Sequence, residues 1–210
     1  MSLTDQQIAR AAAISAATLH EAAGRKGALP STLKPVAPEM KLCGRAFPAH
    51  GPAKDNLWLH RAIYAAQPGD VILFDPQGAH EAGYWGEVMT EAAKARGLAG
   101  LVINGGIRDA ARLAEIGWPV FSANVCLAGT GKDQQGRGSL GDPLFFGDVL
   151  VKRGDLVLGD SDGIVALPSE GIDAALSSSE ARDAAEVDQI ARLRAGERTL
   201  DLFGLGELPS

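Results

Sequence analysis

Two short runs in this chain, Val71-Ile72-Leu73-Phe74 and Leu101-Val102-Ile103, are apolar at every position. Side chains on a strand alternate between its two faces, so such runs read as buried strands. A helical pattern precedes each. Asn56 to about Ala66 carries Leu57, Leu59, Ala62 and Ile63 at the spacing of one helix face, and Glu87 to about Arg96 leads into the second run. Gln67-Pro68-Gly69-Asp70 is a turn, and Asp75-Pro76 ends the first strand. The chain is thereby an alternating α/β protein.

The flanking segments extend the pattern. Thr4 to about Ala23 reads as one helix, with Asp5, Gln6 and Gln7 in its first turn and Gly24 as its stop. Lys41 to Phe47 reads as a strand, and QGAHEAGYWG (residues 77 to 86) as a loop. Asp109 to Ile116 is a short helix, and Val120-Phe121 a short strand after Pro119. From Ala128 to Asp142 the chain is rich in Gly, Ser and charge, a loop of about 15 residues, and loops that long are often functional. Short β-type runs separated by Gly-Asp turns follow, with antiparallel pairing expected. Glu170 to about Gly196 is a long charged helix, and DLFGLGELPS a tail. No repeat and no interdomain linker interrupts the 210 residues, so the expectation is one domain over residues 1–210.

Charge and composition exclude several functions. The net charge is −6 with no Lys/Arg cluster, which argues against nucleic acid as a partner. No apolar run approaches the roughly 20 residues that span a bilayer, so no membrane partner is expected. The first residues, MSLTDQQIARAA, lack a charged-then-apolar leader pattern. Cys43 and Cys126 form no CxxC and read as core thiols, so a cytoplasmic location is expected. His20, His60 and His80 each stand alone, without paired zinc spacing. GTGKDQQG lacks the ending of a phosphate-binding loop, and no nucleotide site is expected.

The stretch GLAGLVINGGIRD (residues 97 to 109) carries more than a strand. Gly105-Gly106 reads as a tight turn after it. Arg108 beyond that turn can grip a small carboxylate with two parallel hydrogen bonds. Asp109 can bind a divalent cation that the anion also touches. Mg²⁺ or Mn²⁺ suits such a site, because it keeps several waters and needs only one or two protein carboxylates. An exposed ion pair, with Asp109 as a helix cap, is the other reading of the dipeptide. Upstream, Gly86-Glu87-Val88-Met89 begins a helix, whose free N–H groups and positive end suit a carboxylate or enolate oxygen. In an α/β sheet one strand's C-terminal loop lies near its neighbours' helix starts. Glu87, the amides of Val88 and Met89, Arg108 and Asp109 are therefore expected to converge. Twenty residues lie between Glu87 and Arg108.

The run WGEVMTEAAKARGLAGLVINGGIRD (residues 85 to 109) resembles the signature of a known family. That family holds the 4-hydroxy-4-methyl-2-oxoglutarate aldolases and the regulators of ribonuclease E activity. TLHEAAGRKGAL (18 to 29), DNLWLHRAIYAAQPGDVILFD (55 to 75) and KRGDLVLGDSDGIVALP (152 to 168) are similar to it as well. HEAAGRKGAL most resembles the branch of 4-carboxy-4-hydroxy-2-oxoadipate aldolases, which also decarboxylate oxaloacetate.

The resemblance implies a three-layer β/β/α sandwich of the swivelling type, and a homotrimer or homohexamer with sites at subunit interfaces. It implies a metal-dependent class II pyruvate aldolase acting on a small oxo acid, with aromatic catabolism as its setting. A divalent metal would stabilise the pyruvate enolate made when the C–C bond breaks. Asp109 would hold the metal, and Glu87 a metal-bound water. Arg108 would bind the keto group, and Gly86, Val88 and Met89 the pyruvate carboxylate. In the aldolases Asp stands where this chain has Glu87, one methylene longer. A further acid would come from a neighbouring subunit's C-terminal helix, here about residues 170–196, where Glu186 matches best. Glu21 is the other candidate near the substrate. His80 and Tyr84 would shape the pocket, His60 is expected to be packed or capped, and Arg25 and Lys26 are candidates to meet a distal carboxylate. The alternatives are a non-catalytic regulator binding ribonuclease E and a lyase acting on a different oxo acid.

Overall fold

The structure is a computed structural model and describes residues 3–208. The helix expected from Thr4 to Ala23 is two helices, α1 (Asp5–Ala12) and α2 (Ala16–Ala22). Ser15 makes the break. Its hydroxyl accepts the Thr18 amide at 3.0 Å, and Asp160 accepts the Ala16 amide at 2.8 Å. A serine that bonds its own backbone ends one helix and caps the next.

The sheet is built on four parallel strands in spatial order β6 (Val120–Val125), β5 (Gly100–Ile107), β3 (Asp70–Asp75) and β2 (Leu42–His50). Helices α3 (Leu57–Ala65), α4 (Glu87–Ala95) and α5 (Ala110–Ile116) make the crossovers. Antiparallel strands extend both edges: β1 (Lys34–Pro35) beside β6, then β10 (Leu156–Gly159) and β11 (Ile164–Leu167) beyond β2. The loop expected at 77–86 contains a short strand, β4 (Gly83–Trp85), paired with the C-terminal end of β5. The long 128–142 segment contains β7 (Ser139–Leu140), paired with the end of β2.

Alternation along β3 shows how the layers form. Ile72 and Phe74 face the helices, together with Leu59, Ile63, Trp85 and Leu101. Val71 and Leu73 face the other side, with Val102, Phe121, Phe146 and Val151. Phe146 and Val151 belong to a separate hairpin, β8 (Leu144–Phe146) and β9 (Val149–Val151). Helix, sheet and hairpin are thus the three layers expected. A third apolar cluster lies under α1, α2 and the start of α6 (Ile172–Arg194), where Leu19, Leu158, Val165 and Leu176 meet. Arg10 ties α1 to α6 through Asp173 and Glu180. Only Ile172, Leu176 and Ser179 of α6 are buried, and the expected tail contains a short helix, α7 (Thr199–Leu202).

Gly105-Gly106 is not a turn. Strand β5 continues through both to Ile107, with a shift of register against β6 between Ile103 and Gly106. A Cβ at Gly106 would stand 2.5 Å from both Ala82 O and Asn124 Oδ1. These glycines are needed for close approach of neighbouring segments, not for a bend. No helix among the described residues is long and apolar enough to cross a membrane.

Candidate active site

The bend comes three residues later. Arg108 still bonds as a strand residue, donating its amide to Trp85 O at 2.8 Å. Asp109 then takes φ 58° and ψ 31°. A non-glycine residue in this left-handed region is uncommon, although Asp tolerates it better than most. The turn sends the chain into α5 and leaves the Asp109 carboxylate free of that helix. It makes no capping bond to α5, so the capping reading of this residue is corrected. Its Oδ2 instead accepts the amide of Glu87 at 3.1 Å, at the start of α4. A Cβ at Gly86 would sit 2.4 Å from Asp109 Oδ2. Glycine at the N-cap of α4 is what lets the end of β5 and the start of α4 close on one another.

The junction opens onto a cavity of about 270 Å³. Gly86, Val88, Met89, Arg108 and Asp109 all line it. Five of the expected residues are therefore brought together by the fold. Glu87 belongs to the same helix start, but its carboxylate turns to Arg112, 2.9 Å away, and is not part of the lining. Glu21 pairs with Arg25 at 3.1 Å, at the end of α2. Glu186 pairs with Arg182 at 3.1 Å, in the outer half of α6. Neither lines this cavity within one chain. Arg25 and Lys26 line a different cavity, between α2, β9 and the start of α6.

Five lining residues were not anticipated as part of the site: Gly83 and Trp85 of β4, and the polar side chains Asn56, His60 and Lys132. Asn56 stands at the N-cap of α3 but makes no capping bond. Its Nδ2 donates to Tyr84 O at 2.9 Å and to Met89 Sδ at 3.6 Å. His60 is half-buried at the cavity wall rather than packed away, and burial, then the Lys132 ammonium, hold its imidazole below the usual histidine range. The signal for this pair was the i, i+4 spacing of Asn56 and His60 on one helix face. Lys132 lies in the long glycine-rich segment, and its loop length was the only hint. Tyr84 lines the cavity as expected. His80 bonds Asn104 O through Nδ1 and is not part of the lining. Burial pushes the Cys43 thiol up to about 12, in keeping with a core thiol.

The donor set fits a hard divalent cation. Among the described residues no group of three His, Cys, Asp or Glu could form a metal cage. Zinc sites typically need three or four such ligands. Asp109 supplies one exposed carboxylate, and its Oδ1 has no hydrogen-bond partner among the described residues. One carboxylate with water and substrate oxygens is the arrangement Mg²⁺ accepts.

Comparison with known proteins identifies the family and the fold. A family model described as RraA-like, Aldolase/RraA, matches residues 3–166. A protein of Halalkalibacterium halodurans named "Putative 4-hydroxy-4-methyl-2-oxoglutarate aldolase" is 32% identical over 174 residues, covering 80% of this chain and 82% of that protein. Among solved structures, an uncharacterized protein from Pseudomonas syringae is similar with a TM-score of 0.82 at 23% identity, covering 94% of this chain and 92% of that one. RraAS2 of Streptomyces coelicolor, described as an unusual member of the RNase ES inhibitor RraA family, has a TM-score of 0.75 at 25% identity. The match covers 91% of this chain and 98% of that one.

Proposed function

The chain belongs to the RraA-like family, and we propose that within it this protein is a divalent-metal-dependent carbon–carbon lyase. Its substrates are 4-hydroxy-2-oxo diacids, such as 4-hydroxy-4-methyl-2-oxoglutarate or 4-carboxy-4-hydroxy-2-oxoadipate. They are cleaved to pyruvate and a second keto acid, and oxaloacetate is decarboxylated at the same site. The observation that carries this reading is the left-handed turn at Asp109, which holds its carboxylate beside Arg108 and the first turn of α4 in one cavity. Of the non-glycine residues with positive φ among the described residues, Arg25, Lys54, Gln77 and Asp109, Asp109 alone lines this cavity.

Asp109 would hold Mg²⁺ or Mn²⁺. When bound, the ion would act as a Lewis acid on the keto acid's oxygens. The residues of the chain do the rest. The N–H groups at the start of α4, at Val88 and Met89, orient the pyruvate carboxylate. Arg108 donates to the keto oxygen and stabilises the charge that grows there as the bond breaks. The C3–C4 bond of the substrate breaks, and its electron pair enters the pyruvate enolate. The C4 hydroxyl loses its proton as the second carbonyl forms, and protonation at C3 completes pyruvate. Glu87 would be available to hold a water beside the ion on exchanging its Arg112 partner. Glu186 and Glu21 would contribute from a neighbouring copy, since neither reaches the cavity of its own chain. Assembly as a homotrimer or homohexamer is part of the proposal. The outer half of α6 leaves Val187 and Ile190 exposed for such contact.

Pyruvate release, followed by a coupled hydride assay, tests the reading. Incubation with 4-hydroxy-4-methyl-2-oxoglutarate or oxaloacetate plus Mg²⁺ should release pyruvate, and EDTA should abolish it. No release with Mg²⁺ or Mn²⁺ would favour the regulator reading or a different substrate.

A further inference from the structure

The other end of the parallel strands carries a second cleft. The candidate cavity lies where β4 and β5 end, whereas Asp70 is the first residue of β3. Asp70 is the register partner of Arg45 on β2. Such partners share a face of the sheet, and Phe47 follows on that face two residues along β2. Arg153, in the turn before β10, lays its guanidinium over the Phe47 ring, 5.1 Å from the centroid. Arg45, Asp70 and Arg153 thereby line one cleft of about 510 Å³. No cationic cluster shows in the sequence, because the two arginines lie far apart in it. The fold makes one.

Both cations are held in place. Arg45 donates Nε and Nη2 to Leu3 O, at 3.2 and 2.9 Å, and Nη2 also pairs with Asp5 at 2.6 Å. Its Nη1 has no partner among the described residues. The turn that carries Arg153 is tied to β2: the Gly154 amide donates to Ala46 O at 2.9 Å, and the Ala46 amide donates to Asp155 O at 2.8 Å. The Arg153 guanidinium has the Phe47 face but no hydrogen bond or ion pair among the described residues, so its five donors are unused. Asp70 is 7% exposed. Its Oδ2 accepts the Gln67 amide at 2.9 Å, while its Oδ1 has no partner among the described residues and is not sealed off. Burial raises this carboxyl, opposed by the Gln67 amide, Arg153 and Arg45. Yet neither arginine forms an ion pair with it. The three charged groups border the same open space without closing on one another.

We propose that this cleft is a binding site for a small hydroxy dicarboxylate of the malate type. Arg45 and Arg153 each hold one of its carboxylates, since a guanidinium matches a carboxylate with parallel hydrogen bonds. Asp70 Oδ1 accepts the hydrogen of its hydroxyl. An ionised carboxylate only accepts hydrogen bonds, so Asp70 repels a ligand that brings charge alone and favours one that brings a hydrogen. The site is separate from the candidate active site and depends neither on the lyase reading nor on a metal.

Titration calorimetry in EDTA reads this binding with metal chemistry absent. The probes are malate, succinate, which lacks the hydroxyl, and lactate, which lacks the second carboxylate. Malate should bind about 30-fold more tightly than lactate and about tenfold more tightly than succinate, as expected for one charge-assisted hydrogen bond in each comparison. Arg153→Gln, at an exposed side chain, should weaken malate about 30-fold, erase its advantage over lactate and leave Tm unchanged. Arg153→Lys should restore part of the affinity. Excess pyruvate should not displace malate. Displacement would place malate in the candidate cavity and overturn the proposal. So would wild-type malate affinity in Arg153→Gln, or no binding of malate at all. Equal affinity for malate and succinate would overturn the role of Asp70.

Discussion

Gly86→Ala isolates the geometry on which the site depends. Gly86 has φ −162° and ψ −166°, an extended conformation open to any residue, so alanine adds no backbone strain. It adds a Cβ 2.4 Å from Asp109 Oδ2 and 3.3 Å from Arg108 Cγ. Ordinary contact requires the carboxylate to retreat by roughly 1 Å. A displacement of that size at a reacting centre costs about 100-fold in rate. The cost to the fold is much smaller. Alanine is a poorer N-cap than glycine by about 1 kcal/mol, which lowers Tm by roughly 2–4 °C in a domain this size. The assays are metal-dependent pyruvate release, Mn²⁺ titration and thermal melting. Expected is a loss of activity and of Mn²⁺ affinity with Tm nearly retained. Full activity would refute the close packing of α4 on Asp109 as the site's organising contact. Collapse of the fold would show that Gly86 serves packing instead.

Other positions in the fold carry expectations of their own. Gly106→Ala should fail to fold or express, because its Cβ meets the Ala82 carbonyl at 2.5 Å; soluble protein with a normal melting curve would contradict this. Lys132→Gln should raise the His60 pKa, read by NMR titration, since Lys132 is one of the two causes that lower it; no change would remove Lys132 from its vicinity. Burial raises the Asp70 carboxyl, so the folded chain binds that proton more readily than the unfolded chain. Wild type should therefore gain stability relative to Asp70→Asn as pH falls from neutrality toward about 3.9, the ordinary aspartate value, as read by Tm differences. The opposite slope would contradict it. Leu101→Ala, at a fully buried position of β5, should cost about 2–5 kcal/mol in denaturant melts, and a cost below 1 kcal/mol would refute its place in the core.

The central layer was legible because its signals are strong and local. Val71 to Phe74 had to be buried on both faces, and the structure divides them between two cores. Alternation with helices then implied parallel neighbours, and the meeting of helix starts with strand ends pointed to the candidate cavity. The misreadings have physical causes. Gly105-Gly106 resembled a turn because a sequence shows a missing side chain but not what crowds against it. The real bend falls on Asp109, which carries no such mark. The break at Ser15 was hidden because helical periodicity continues through α1 and α2. Pro48 sits inside β2, beyond the end expected at Phe47; it is tolerated where pairing with β10 has ended at Arg45 and pairing with β7 begins at Ala49. Asn56 and Lys132 are 76 positions apart, so only tertiary contact, with Asp55 accepting the Asp133 amide, places them on one wall. Glu186 and Glu21 sit away from this cavity on their own chain, paired with Arg182 and Arg25.

The most direct test is a crystal structure grown with Mn²⁺ and pyruvate, read by anomalous scattering. The account predicts a manganese peak at the Asp109 carboxylate, with the keto oxygen of pyruvate at Arg108 and its carboxylate toward the amides of Val88 and Met89. A peak elsewhere, or Asp109 without metal while pyruvate occupies the cavity, would contradict it.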